Sequence, residues 1–213
     1  MITTLTKEIT QLIDGPTGKL EVAVGEPTIE PRNAWGIVCH PHPLHGGTMH
    51  NKVVTTLAKT FQGMGVTTIR FNFRGVMRSE GRYDNGDGEL ADLLAVIDWV
   101  QQEKGKHEIW LGGFSFGAYI AAKAATQTPT QKLVTIAPPV GHFPMQEIPP
   151  ITNPWVLVQG ELDDVVPPAD VFAWAEARNP QPVIIRFPEA GHYFHGQLGE
   201  LRARIEEALN LSK

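Results

Sequence analysis

Gly113-Phe114-Ser115-Phe116-Gly117 sets one serine between two glycines, each two residues away. That is the spacing of a nucleophile elbow, a turn tight enough to force its serine into strained backbone angles. Only glycine at the flanking positions leaves room for the neighbouring backbone. Upstream, residues 108–113 are short and apolar and read as a buried strand; downstream, the alanine-rich residues 118–125 read as a helix. A strand–turn–helix of this kind lifts the hydroxyl clear of a sheet, within reach of a base and a substrate.

The rest of the chain supplies a sheet for that turn. Apolar runs at 35–39, 66–73, 108–114, 132–137, 155–159 and 183–187 suit strands covered on both faces. Helical patterns fall at 53–64, 90–104, 116–126, 169–178 and 197–211. Leu90, Leu93, Leu94, Ile97 and Val100 repeat at the three-to-four spacing of an amphipathic helix. Segments 6–13 and 19–24 make a hairpin around the turn formers of 14–18. Strand and helix alternate after this antiparallel start, which predicts an α/β fold over residues 1–213 as a single domain. The sheet is expected to be mostly parallel and doubly wound, of about seven to eight strands, with helices on both faces. Ligands of such sheets bind beyond the carboxyl ends of the strands.

A serine hydroxyl is a weak nucleophile at neutral pH and needs a base, usually a histidine oriented by a carboxylate. The elbow fold orders these as serine, acid, histidine along the chain. The strand at 155–159 runs into Gly160-Glu-Leu-Asp163-Asp164, and the strand at 183–187 into Pro188-Glu-Ala-Gly-His192-Tyr-Phe-His195. Asp163, at the first turn after its strand, is favoured as the acid over Asp164 and Glu161, which read as solvated loop charges. His192, after Ala-Gly, is favoured as the general base over His195, which sits nearer the last helix. A turn aspartate and a structural histidine are the ordinary roles of such residues; the shared order after successive strands lifts them above those.

Acyl chemistry also needs two backbone N–H groups aimed at the developing oxyanion. Phe116 N–H, directly after the serine, is one candidate. The other lies in His40-Pro-His-Pro-Leu-His-Gly-Gly47, where Pro41 and Pro43 have no N–H to give. His42 is favoured over Leu44. Four histidines (His40, His42, His45, His50) invite a metal reading, but no carboxylate completes a set and the prolines break helical spacing; no metal is expected. Hydrogen bonding that shapes the loop is the expected role of His40 and His45. Arg74 and Arg78 read as loop buttresses, and Asp84–Glu89 as a turn with a helix cap rather than a calcium loop.

The composition sets bounds. The net charge of −5, without a Lys/Arg cluster, argues against nucleic acid as a partner. One cysteine excludes an internal disulfide and a Cys-rich zinc site, and Cys39 reads as a buried thiol. The first ten residues lack a signal-peptide pattern, and no apolar run approaches the roughly 20 residues that span a bilayer. A soluble, cytoplasmic protein without membrane contact is expected, as a monomer or a homodimer.

At this point the chain resembles the α/β-hydrolases, in particular their short, lidless subgroup. The resemblance rests on His40-Pro41 with Gly46-Gly47-Thr-Met-His50-Asn-Lys52, on Arg70-Phe-Asn-Phe-Arg-Gly75, on the Ser115 motif and on Gly191-His-Tyr-Phe-His-Gly196. It covers nearly the whole chain and implies a triad of Ser115, Asp163 and His192 with no cofactor. Only a short, proline-rich stretch, 138–154, stands where larger esterases insert a helical cap. The expectation is an open, shallow pocket rimmed by Phe143, Met145, Tyr193 and Phe194, and a small-molecule acyl substrate, ester or thioester. Peptidase or acyltransferase chemistry on the same triad, and a binding protein without turnover, are the alternatives.

Overall fold

The computed structural model describes residues 8–211. Among them one eight-stranded sheet runs in the order β1-β2-β4-β3-β5-β6-β7-β8. The strands are β1 (Glu8–Gly15), β2 (Gly18–Gly25), β3 (Ala34–Cys39), β4 (Thr67–Phe71), β5 (Glu108–Phe114), β6 (Lys132–Ile136), β7 (Trp155–Gly160) and β8 (Val183–Phe187). The helices are α1 (Lys52–Gly63), α2 (Asp87–Glu103), α3 (Phe116–Ala125), α4 (Pro168–Glu176) and α5 (Leu198–Leu211). β1, β2 and β4 pair antiparallel; from β4 through β8 every pairing is parallel.

The parallel strands carry apolar side chains to both faces because helices cover both. Along β3, Trp35, Ile37 and Cys39 join the layer under α2, α3 and α4, while Ala34 and Val38 join the layer under α1 and α5. At about 25 cal/mol per Å2 of apolar surface, full burial of one such side chain contributes about 2 kcal/mol. Cys39 is buried in this layer and its thiol pKa is pushed up by desolvation, as an inert packing residue requires.

Element ends depart from the expected ones for local reasons. The hairpin pairs Gly15 with Gly18, so the ladder runs further than predicted and leaves Pro16-Thr17 alone as the turn; Thr6 and Lys7 of the predicted strand lie outside the described residues. β4 stops at Phe71 because the next amides are taken elsewhere, Asn72 N–H by Glu21 O and Phe73 N–H by His40 Nε2. α2 begins three residues before Leu90, since Glu89 accepts hydrogen bonds from the N–H groups of Gly86 and Asp84 and closes the first turn. The predicted loop buttress is a buried ion pair: Arg74 grips Asp92 on α2, with Nη2–Oδ1 at 2.7 Å.

The sheet order turns around between β3 and β5: β4 lies to one side of β3, β5 to the other. Chains leaving the tops of β3 and β5 therefore part in opposite directions, which opens a crevice between them. Cys39, the last residue of β3, pairs with Gly113 near the end of β5. The elbow serine and the His40–Gly47 loop consequently stand side by side. Among the described residues no cap covers them; between β6 and β7 only a short 3-10 turn, Met145–Glu147, interrupts the loop.

Candidate active site

Ser115 sits at the top of β5 with φ 53° and ψ −121°, in a region that side-chain-bearing residues rarely adopt. Its surroundings enforce this. A Cβ on Gly113 would lie 2.1 Å from Gly117 O, and one on Gly117 would lie 2.4 Å from Cys39 O. Both glycines are thus required by backbone packing, as the sequence pattern implied. Ser115 N–H donates to Ile136 O of β6 at 2.8 Å, anchoring the turn to the sheet. The N–H groups of the first turn of α3 then point toward the serine's side of the elbow, Phe116 leading.

The loop after β7 brings up the acid. Asp163 is nearly buried, and all of its carboxylate capacity is engaged. Oδ1 accepts from Val165 N–H (2.9 Å) and Val166 N–H (2.8 Å); Oδ2 accepts from His192 Nδ1 (2.8 Å) and Gln159 Nε2 (3.0 Å). Burial alone would raise its pKa, but these hydrogen bonds, His192 foremost, outweigh it and hold the carboxyl below its ordinary value. Asp164 and Glu161 are exposed, as expected.

The loop after β8 brings up the imidazole. A Cβ on Gly160 would meet Ala190 O at 2.3 Å, so only glycine lets the two loops approach this closely. Glu161 N–H donates to Phe187 O and Leu162 N–H to Ala190 O, which stitches the acid loop to the histidine loop. His192 is buried, its ring 4.9 Å from Phe114, the neighbour of Ser115. Nδ1 is bonded to Asp163, so Nε2 is the ring nitrogen not engaged by the carboxylate. His195 is exposed and contacts only the ring of Tyr193 among aromatic neighbours described.

The loop after β3 is organised around His42. Its carbonyl accepts from His45 and Gly47 N–H, and its Nδ1 accepts from Leu44 N–H at 3.2 Å. Its Nε2–H reaches Tyr83 Oη, also at 3.2 Å. Leu44 N–H is therefore spent within the loop, which leaves His42 N–H the better candidate of the two for an oxyanion. His40 locks the base of the loop: Nδ1–H donates to Pro41 O and Nε2 accepts from Phe73 N–H. Burial pushes its pKa down to about 4, so the ring is neutral at pH 7. His45 contributes its ring instead of a side-chain hydrogen bond, stacked 4.4 Å from His42. Among the described residues no three His, Cys, Asp or Glu side chains are grouped to hold a metal ion.

A cleft of about 330 Å3 opens beside the serine. It is lined by His42, His45, Ser115, Phe116, Pro139, His142, Phe143, Val165 and Val166. Phe143 is where the sequence placed it. Two other expected rim residues are not. Met145 is wholly buried, turned inward at the 3-10 turn into the layer that holds Tyr119 and Ile148. Phe194 is wholly buried too: a tight turn at φ 52° folds its ring edge-on against Phe187, 5.4 Å away. Tyr193 is half-exposed and stands beside His192, outside the cleft. Gln159, Tyr83, His142 and Val166 went unnoticed in the sequence. Gln159 alone left a signal there, a buried amide ending an otherwise apolar strand.

Known proteins share this fold. Over 94% of its length the chain overlays 97% of an α/β serine hydrolase homologue from Coxiella burnetii, with TM-score 0.92 and 47% identity. It belongs to the α/β-hydrolase superfamily. A Xanthomonas campestris α/β serine hydrolase described as lidless is 40% identical, with TM-score 0.92 over 97% of this chain and 95% of that one. The family model for the α/β hydrolase fold matches residues 43–148 of this hydrolase. An uncharacterized protein of Rickettsia prowazekii is 38% identical over 206 residues, 92% of this chain and 86% of its own length.

Proposed function

We propose that this hydrolase cleaves carboxylic esters or thioesters of small acyl groups through an acyl-enzyme on Ser115. Ser115 Oγ attacks the carbonyl carbon while His192 Nε2 takes its proton. The tetrahedral oxyanion is held by the N–H groups of Phe116 and His42. The C–O or C–S bond then breaks and the leaving alcohol or thiol takes the proton from His192. Water, deprotonated by the same nitrogen, releases the acid and frees the serine. Asp163 holds the Nδ1–H tautomer throughout and stabilises the imidazolium that forms.

The observation that carries this reading is the 2.8 Å hydrogen bond from His192 Nδ1 to the Asp163 carboxylate, in loops after β7 and β8 at the sheet edge where β5 ends in a serine held at φ 53°. No side chain in that set has another evident structural purpose that needs the strain. Among the described residues no helix is long and apolar enough to cross a membrane.

The test is pre-steady-state hydrolysis of p-nitrophenyl acetate, with Ser115→Ala as control. A burst of about one p-nitrophenolate per chain, abolished by the substitution, is expected. A folded protein that shows no burst and resists a fluorophosphonate probe would leave the fold as a binding scaffold.

A further inference from the structure

We infer that the cleft beside Ser115 is the acyl pocket, and that it selects an uncharged aromatic acyl group while the leaving alcohol stays almost unselected. This rests on the serine hydrolase reading above and narrows its substrate class.

The division follows from where His192 stands. The leaving group must depart on the side of the nitrogen that protonates it. His192 and Tyr193 do not line the 330 Å3 cleft, whose walls come from the His42 loop, Phe116, the 139–143 loop and Val165–Val166. The part of the substrate that stays on Ser115 therefore occupies the cleft. The alcohol leaves past Tyr193, a residue 46% exposed beside His192.

The walls set the chemistry. The rings of His42, Phe116 and Phe143 pack on one another at centroid distances of 5.1 to 5.9 Å and form one continuous aromatic wall. Val165 and Val166 close the opposite side. Among the described residues none lining the cleft is Lys, Arg, Asp or Glu. The histidines do not replace them. Burial, then the proximity of His45, lowers the pKa of His42, and its Nε2–H is given to Tyr83. His142 spends its Nε2–H on Val165 O at 3.1 Å. A carboxylate entering the cleft would lose water and meet no cation, while a flat neutral ring would lose only apolar exposure. The volume lies at the small end of ligand sites, which suits one ring and a short linker.

Two series separate the acyl and alcohol sides. With the alcohol fixed as p-nitrophenol, kcat/KM for phenylacetate is expected to exceed that for acetate about tenfold, and hemisuccinate to fall well below both. With phenylacetate fixed, methyl, ethyl and benzyl esters are expected to agree within about threefold. A wider spread over the alcohols than over the acyl groups overturns the inference, as does a hemisuccinate turned over like phenylacetate. Binding decides it independently of turnover. Ser115→Ala protein, titrated by NMR, is expected to bind phenylacetamide and not succinamate at pH 8, and Val165→Trp in that background to lose the phenylacetamide site. Equal binding of the two amides, or indifference to Val165→Trp, refutes the pocket. Absence of ester turnover with phenylacetamide still bound removes the hydrolase reading and leaves the pocket standing.

Discussion

Tyr83 Oη lies 3.2 Å from His42 Nε2, and through that contact the segment after β4 holds the loop after β3 in place. Burial, then Glu89 and Tyr119, raises the tyrosine pKa, so the phenol stays protonated and able to accept from the ring. Both nitrogens of His42 are committed, one to Leu44 N–H and one to Tyr83. Its own N–H is thereby fixed in direction. The loop is set by side chains remote from the serine in sequence.

Tyr83→Phe should lower kcat about three- to tenfold with KM nearly constant, the scale of one neutral hydrogen bond of about 1 kcal/mol. Affinity for a trifluoromethyl ketone should fall by the same factor, since both depend on the oxyanion donors. Parallel steady-state and inhibition measurements check this. A rise in KM alone would place Tyr83 in substrate binding instead.

The acid gives a larger effect. Asp163→Asn turns a carboxylate acceptor into an amide that favours the wrong imidazole tautomer, and kcat should drop about 10⁴-fold. Gln159→Leu removes the 3.0 Å bond that steadies Oδ2, along with a 3.1 Å bond to Gly160 O, and should cost about tenfold. Burst amplitude and kcat for the two variants, with thermal unfolding as a fold control, measure the order. A Gln159→Leu enzyme as active as the parent would show that the two amides of Val165 and Val166 hold the carboxylate unaided.

His40 gives a pH dependence of stability. Its folded pKa of about 4 lies below the ordinary 6.5, so on acidification the unfolded chain takes the proton first. The stability is complete above pH 6.5, declines as pH falls from 6.5 toward 4, and the loss attributable to this ring approaches about 3 kcal/mol. Urea midpoints across that window should slope less steeply in His40→Gln, which keeps an acceptor for Phe73 N–H without the titration. Identical slopes would locate the acid sensitivity elsewhere.

Arg74→Met should destabilise the fold by about 3–5 kcal/mol, because Asp92 would be left charged and wholly buried. Arg78→Met, on an exposed side chain 3.9 Å from Glu21, should change little. Paired denaturation curves distinguish the two. Equal losses would mean that the loop after β4, rather than the buried charge, sets the cost.

Short-range pattern was enough for the elements and for the elbow, because alternation, apolar runs and the glycine spacing act between neighbours in the chain. The order of Ser115, Asp163 and His192 after β5, β7 and β8 was legible for the same reason: parallel topology sends each of these strands' carboxyl ends to one side. Packing between segments was not legible. Phe194 and Met145 look like rim residues in a proline- and aromatic-rich loop, and only the tertiary layers turn them inward. Tyr83 and Gln159 act across 41 residues and 4 residues respectively, on partners chosen by where folded loops meet. The walls of the cleft were decided the same way. Which side chains share a surface depends on the twist and order of the whole sheet, information that no local stretch of sequence contains.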